Sequence, residues 1–226
     1  GGGNPFADEN KLNSRKVLFI IGGHSLSLEI RETANLTLSQ DYKIINVIAD
    51  NDTCIYNYIT DSQLESECEK YDEITYIHGF TNLTLRKKYD ELFEKYNGKM
   101  INIIHPHAYI SITACIGKGN YIACNAVISS CVEVGDSNVI NYGVTLGHDA
   151  KIGNHCVINP GARISGNVHI GDRCLIGSDS FIYQGLSICH DTKIDAMTYI
   201  RKSIKTSSIC SNRPKLIMVD NIQFNK

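Results

Sequence analysis

The chain has 226 residues, with 22 Lys and Arg against 24 Asp and Glu and a formal net charge of -2. No basic run offers itself to phosphates and no stretch of ~18 consecutive apolar residues occurs, which excludes a nucleic-acid partner and a membrane-spanning helix. Nine cysteines without a CxxC pair, and no secretory h-region, predict a cytoplasmic protein of a reducing compartment.

The opening GGGNPFADEN lacks an initiator methionine and reads as an appended remnant outside the fold. From Arg15 to Pro106 short β-rich runs alternate with longer charged amphipathic segments, the pattern of βαβ units on a parallel, Rossmann-like sheet. VLFII (17–21) reads as a buried strand, IGGHS (21–25) as a tight turn opening a helix to about Leu38, and YKIINVIAD (42–50) as the second strand. EITYIHG (73–79) is the third, and LRKKYDELFEKY (85–96) is a helix with Leu85, Tyr89, Leu92 and Phe93 at helical spacing. MINIIHP (100–106) is the expected fourth strand, closing a first domain over 16–106.

Beyond it the period becomes six. Every sixth residue from Ile110 to Ile200 is aliphatic, sixteen positions without a slip, and the next residue is small in many hexads (Gly117, Ala123, Ser129, Gly135, Gly147, Gly153, Gly171, Gly177). A sustained hexapeptide period marks a parallel β-helix, whose coils bury one another's apolar edges. It defines a second domain over 107–210, followed by a tail over 211–226. So many coils expose flat, aliphatic-edged faces, which predicts association into a homotrimer.

The hexads, the βαβ unit before them, the junction IHPHAYIS (104–111), the HD pair at 148–149 and PGARISGNVHIG (160–171) together carry a resemblance over residues 16–205. The chain resembles the left-handed β-helix acyltransferases, and within them the sialic acid O-acetyltransferase and bacillosamine N-acetyltransferase family. That resemblance implies coils of eighteen residues, three subunits side by side, and acetyl-CoA as co-substrate. It also implies an amino sugar linked to a nucleotide, usually UDP, as acceptor.

Eighteen residues per coil sets Gly166 directly above His148 and Gln184 one coil further, leaving room for a thioester over the glycine. His148 resembles the family's general base, an imidazole titrating near the working pH. Asp149 matches the acid that fixes its tautomer, Gly166 the residue whose amide meets the oxyanion, and Asn141 a sugar-contacting asparagine. The family's coenzyme-touching histidine stands three residues before PGA, a position held here by Val157. With Gly161, Ala162, Gly166 and Gln184, Val157 forms the expected coenzyme set. His155 is two residues early and reads as a surface or subunit-contact residue, and seven residues separate it from His148, so no metal is expected between them. His190 in ICHDTK imitates the HD pair but falls on another face of the coil. His105 is expected to help dock the two domains. Cys156 and Cys174, eighteen apart, stack in one ladder between Asn138 and Thr192 as interior filling, with no acyl-enzyme implied.

In the first domain Gly22, Gly23 and His24 form a glycine turn at a helix start, which attracts phosphate. It resembles the family's segment that holds a nucleotide-sugar. ADND (49–52) offers Asp50 and Asn51 to the base and ribose, and Gly79 and Arg86 resemble a segment near the same ligand. The family's C-terminal motif survives only as Pro214. Three functions compete: N-acetylation of a UDP-linked 4-amino-4,6-dideoxy sugar, which leads; O-acetylation of sialic acid or another sugar; and a catalytically silent trimeric scaffold that binds a sugar nucleotide.

Overall fold

The computed structural model describes residues 15–213 and 215–218, so Pro214 lies outside the described residues. Five parallel strands, β1 (Lys16–Ile21), β2 (Lys43–Ile48), β3 (Tyr58–Thr60), β4 (Glu73–His78) and β5 (Lys99–Met100), make the first sheet in the order β3-β2-β1-β4-β5. All but the first residue of β1, β2 and β4 are buried, which is why these strands read as unbroken apolar runs rather than alternating ones. The strand order reverses beside β1, so a crevice opens between the carboxyl ends of β1 and β4. Gly22 follows the one and Gly79 the other.

Helices α1 (Leu26–Leu38), α2 (Leu64–Cys68) and α3 (Leu83–Lys95) cover this sheet. On one face α2 and α3 pack Leu64, Tyr89 and Phe93 against Phe19 and Tyr76, whose ring stacks on Phe93 at 4.1 Å between centroids. The Asn82 side chain accepts a hydrogen bond from the Leu85 amide at 3.0 Å and starts α3 two residues earlier than expected. That phase corrects the inward face. Leu85 is 46% exposed, and Arg86 is buried in its place with Tyr89 and Phe93.

The expected fourth strand, 100–106, is divided. Lys99 and Met100 pair with β4, whereas Ile103 and Ile104 pair with Tyr121 and Ile122 in the second domain. One apolar run therefore serves two sheets, a split that hydrophobicity alone cannot reveal.

The second domain is the left-handed parallel β-helix. Two-residue strands stack eighteen residues apart into three sheets, as in Ile128↔Leu146 and Leu146↔Ile164. The hexad aliphatics point inward and form one core with the small residues Ala126, Ala150, Cys156, Ala162 and Cys174. At each corner the backbone turns through the left-handed region: every sixth residue from Gly119 to Met197 has φ between 53° and 74°, and only Gly119, Gly143, Gly161 and Gly185 among them are glycine. A side chain in this region costs about 1–2 kcal/mol. A hydrogen bond offsets it, because from Ser137 to Met197 the turn aims the corner amides at the coil below, as from Asp149 to Ser130 O (2.9 Å) and from Asn167 to His148 O (2.9 Å). The last turn is shorter: Ile188 bridges Ile204 and Ile194 pairs with Cys210, both sixteen residues on.

One sheet, with outward residues Ile103, Tyr121 and Val139, lies under α1 and the first domain, where these residues join Leu18, Ile20, Ile30 and Ile77 in a shared cluster. Each large apolar side chain so buried contributes about 1.5–3 kcal/mol. The second sheet presents Cys115, Glu133, Lys151, His169 and Ser187 to solvent. The third carries Tyr109 (63% exposed), Val127 (37%), Phe181 (36%) and Tyr199 (38%), an unpartnered aromatic face.

Inside the corner nearest the first domain runs a polar ladder. Asn102, Asn120 and Asn138 each accept the amide eighteen residues on and donate to the carbonyl fifteen residues on. Cys156 and Cys174 continue it, their thiols donating to Gly171 O (3.0 Å) and Cys189 O (3.1 Å), and Thr192 follows above. The cysteines are thus interior rungs, and the neighbouring Cys174 thiol, with burial, pushes the Cys156 pKa far up and removes it from thiolate chemistry.

Candidate active site

His148 stands at the corner between the aromatic and the polar face, and the left-handed turn at Asp149 (φ 59°) aims it outward. Its Nδ1 lies 2.9 Å from Asp149 Oδ2, with the two side chains 57% and 53% exposed. A carboxylate on Nδ1 keeps the ring proton there and leaves a lone pair on Nε2. Nε2 lies over the glycine of the next coil: a Cβ built on Gly166 would stand 2.6 Å from it and 2.8 Å from Cε1. The expected stacking is therefore present, but the gap left by the missing side chain is filled by the imidazole rather than open. Among the described residues the Gly166 amide makes no hydrogen bond, whereas the neighbouring Ser165 and Asn167 amides bond to Ile182 O and His148 O.

The other expected site residues fall into three groups. Asn141 and Gly161 line the corner between the aromatic face and the covered face, at the far end of the Thr145–Leu146 strand from His148. Val157 packs against the cluster beneath the first domain, and the Ala162 side chain is fully buried inside the helix, so neither offers a coenzyme a free side chain. Only Gly166 and the exposed Gln184 share the corner of His148.

In the first domain Gly22, Gly23, His24, Asp50, Asn51 and Gly79 gather at the carboxyl ends of β1, β2 and β4. Gly22 (φ 124°) and Gly79 clasp Ser27 in the first turn of α1; a Cβ would meet the Ser27 Cβ at 2.9 and 2.5 Å. His24 Nε2 pairs with Asp52 Oδ1 at 2.9 Å, and sequence reasoning passed over Asp52 in favour of its neighbours. Asp50 accepts the Ser62 amide at 3.0 Å, and that bond with the Ser62 hydroxyl holds its carboxyl below the usual range.

Arg86 and His155 correct the expectation most clearly. Arg86 is only 3% exposed, and its guanidinium donates to Phe80 O, to Ser137 O and to His155 Nδ1, each at 2.9 Å. Burial lowers its pKa to about 10. It is a strut between the domains, not a free ligand for a sugar-nucleotide, and His155 is its anchor rather than a surface residue. Burial and the Arg86 charge lower the His155 pKa, in keeping with an Nδ1 that accepts. His190, as expected, stands apart, with Nδ1 accepting the Asp172 amide at 2.9 Å at the end of a capping series that includes Asp136, Asn154 and Asp172.

Residues 149–184 match the bacterial transferase hexapeptide (six repeats), and residues 167–202 match the hexapeptide repeat of succinyl-transferase. No curated protein is a significant sequence match. PerB from Caulobacter crescentus, solved with CoA and GDP-perosamine, is similar at 22% identity over 86% of this chain and 91% of its own, with a TM-score of 0.75. The acetyltransferase domain of PglB from Neisseria gonorrhoeae is similar at 23% identity over 89% of this chain and 100% of its own, with a TM-score of 0.77. WeeI from Acinetobacter baumannii gives 20% identity, 89% and 100% coverage, and a TM-score of 0.77. The likeness covers both domains, and what it establishes is the fold.

Proposed function

We propose that the protein is an acetyl-CoA-dependent N-acetyltransferase whose acceptor is the amino group of a nucleotide-linked 4-amino-4,6-dideoxy sugar, with UDP as the nucleotide. The observation that carries the reading is the His148 Nε2 lone pair, held by Asp149 and lying over Gly166 beside an unpaired amide. The amine attacks the thioester carbonyl of acetyl-CoA, its proton passes to His148 Nε2, and the Gly166 N–H receives the oxyanion as the tetrahedral intermediate forms. Collapse expels the coenzyme thiolate. A neutral amine is already a good nucleophile and needs its proton removed only as the bond forms, so one histidine suffices. With a base at hand and an amine as nucleophile, direct transfer within a ternary complex is the economical route and no acyl-enzyme is needed. That similar folds were solved with CoA and GDP-perosamine, or with acetyl coenzyme A, supports acetyl-CoA and a nucleotide-linked amino sugar as the substrate classes, while the choice of UDP rests on the resemblance of the glycine turn.

The active unit in this reading is a homotrimer. The first domain covers one face of the triangular coil, and His148 occupies the opposite vertex, so a single chain holds its nucleotide crevice and its base on different sides. A second copy packed on the aromatic face brings its own edge, with Asn141, Gly161 and the crevice behind them, to His148. The anchored nucleotide then lends binding energy to hold the amine against the thioester.

The test is a panel of UDP-, GDP- and dTDP-linked amino sugars beside sialic acid and a free hexose, followed by thiol release and product mass. Rapid N-acetylation of a UDP-linked 4-amino sugar is expected, and His148→Ala should lower kcat by ~10²–10⁴. A hydroxyl-acetylated product would move the function to O-acetylation, and nucleotide-sugar binding without turnover would leave a scaffold. Preference for a GDP-linked sugar would overturn the UDP assignment alone.

A further inference from the structure

The junction between the domains gathers a donor set that the acetyl transfer does not use. His105 and His107 flank Pro106 where the chain enters the first coil, and Cys124 arrives one turn later. The His105 amide bonds to Ile122 O at 2.8 Å and the Ala108 amide to His105 O at 2.9 Å, which fixes the histidine turn against the coil that carries Cys124. The two imidazole rings meet edge to face, 5.2 Å between centroids, and one ligand atom from each of the three residues lies within 4.8 Å of the others. His105 and Cys124 also line a cavity of about 260 Å³ between α1 and the β-helix, together with Glu29, Glu32 and Tyr142.

We propose that His105, His107 and Cys124 bind a single Zn²⁺-class divalent cation. Two imidazole nitrogens and a thiolate are a borderline-soft set that suits Zn²⁺ or Co²⁺ and discriminates against Mg²⁺ and Ca²⁺, which take oxygen. Three protein ligands leave a fourth, tetrahedral position to water, and the two glutamates in the same cavity make the field there favourable to a cation. Binding forms a metal–sulfur bond as the Cys124 thiol gives its proton to solvent, and no electron changes hands. His105 Nδ1 now accepts the His107 amide at 3.0 Å, so a cation taking that lone pair displaces a single donor. The ion would clasp the interdomain junction to the second coil, on the same edge as Asn141 and Tyr142. Spacing alone conceals such a site, because only the eighteen-residue coil brings Cys124 over the two histidines.

The protein, stripped with a chelator and dialysed, is titrated with Co²⁺ and then Zn²⁺. We expect one Co²⁺ per chain with a thiolate-to-cobalt charge-transfer band, its displacement by one Zn²⁺, and a Tm rise of about 5–10 °C at a hundredfold excess over Kd. Cys124→Ser should abolish the band, and it and His107→Ala, at an exposed position, should each weaken Zn²⁺ by about 100-fold or more. Cys115→Ser and Cys131→Ser, also exposed, should bind as the wild type does. Substoichiometric binding, a cobalt complex without the charge-transfer band, or Cys124→Ser indistinguishable from wild type would overturn the site. Turnover is not the readout, so failure here leaves the acetyltransferase reading intact.

Discussion

Gly166→Ala separates the catalytic meaning of the glycine from its structural one. Gly166 is absent from the residues with positive φ, so alanine adopts its backbone without strain, and loss of glycine freedom in the unfolded chain is worth about 0.4–1 kcal/mol toward stability. Its Cβ, however, would stand 2.6 Å from His148 Nε2. Ordinary carbon contacts begin near 3.5 Å, so the imidazole must move by about 0.9 Å. It can, since it is 57% exposed and held only by Asp149. A displacement of about 1 Å at a reacting centre costs on the order of 10²-fold. The expected variant therefore melts at or slightly above the wild-type temperature while kcat, measured by thiol release from acetyl-CoA, falls about a hundredfold. Gly185→Ala is the counterpart. Its φ of 74° strains any side chain although nothing stands within 4 Å, so it should lose about 1 kcal/mol, or roughly 2–4 °C in Tm. A Gly166→Ala enzyme with wild-type kcat would refute the claim that Nε2 over this glycine is the working base.

Arg86→Met keeps the aliphatic bulk of the strut but leaves Phe80 O, Ser137 O and His155 Nδ1 without their donor; a loss of about 2–4 kcal/mol in urea unfolding is expected, and a change under 0.5 kcal/mol would deny Arg86 its docking role. The His155 pKa is lowered below its ordinary 6.5 in the folded chain, so the unfolded state binds the extra proton first; its contribution is complete above pH 6.5 and is lost as pH falls through the folded-state value. His155→Asn, which suits the left-handed corner, should flatten that acid limb relative to wild type, and parallel stability–pH curves would contradict it. Light scattering should return a trimer at micromolar concentration, and replacing Phe181 and Tyr199 on the aromatic face by Lys should yield monomers that fold but do not turn over; an active monomer would break the shared-site argument.

The β-helix was legible because its code is local. Inward and corner positions recur every six residues, so the chain reports its own coil number, and the eighteen-residue offset was enough to set His148 over Gly166. The asparagine ladder obeyed the same arithmetic through Asn102, Asn120 and Asn138, but its first rung lies in a run that reads as a strand of the other domain. The left-handed corners were also written in the Asn, Asp and Gly at 125, 143, 149, 161, 167, 179, 185 and 191. What could not be read depends on distant partners. Arg86 is 69 residues from His155, and its burial hangs on the phase set by Asn82. β3 has only three residues, one exposed and two half-buried, and no pattern of its own. The split of 100–106 depends on two sheets competing for one run of chain.

The corners give this protein a thread, and a thread has a pitch. The first domain grips the coils through Ile103, Tyr121 and Val139, and His148 rides on the next turn at the opposite vertex. Adding eighteen residues between grip and histidine would advance the imidazole along the axis by one strand spacing, about 4.8 Å, at unchanged azimuth. Adding six would swing it by a third of a turn, off the aromatic face and out of reach of a neighbouring copy in the proposed trimer. Length changes in this segment are therefore not equivalent. They are quantised, and under the proposed function the reach of a bound sugar from the crevice to His148 selects which multiple of the pitch permits turnover.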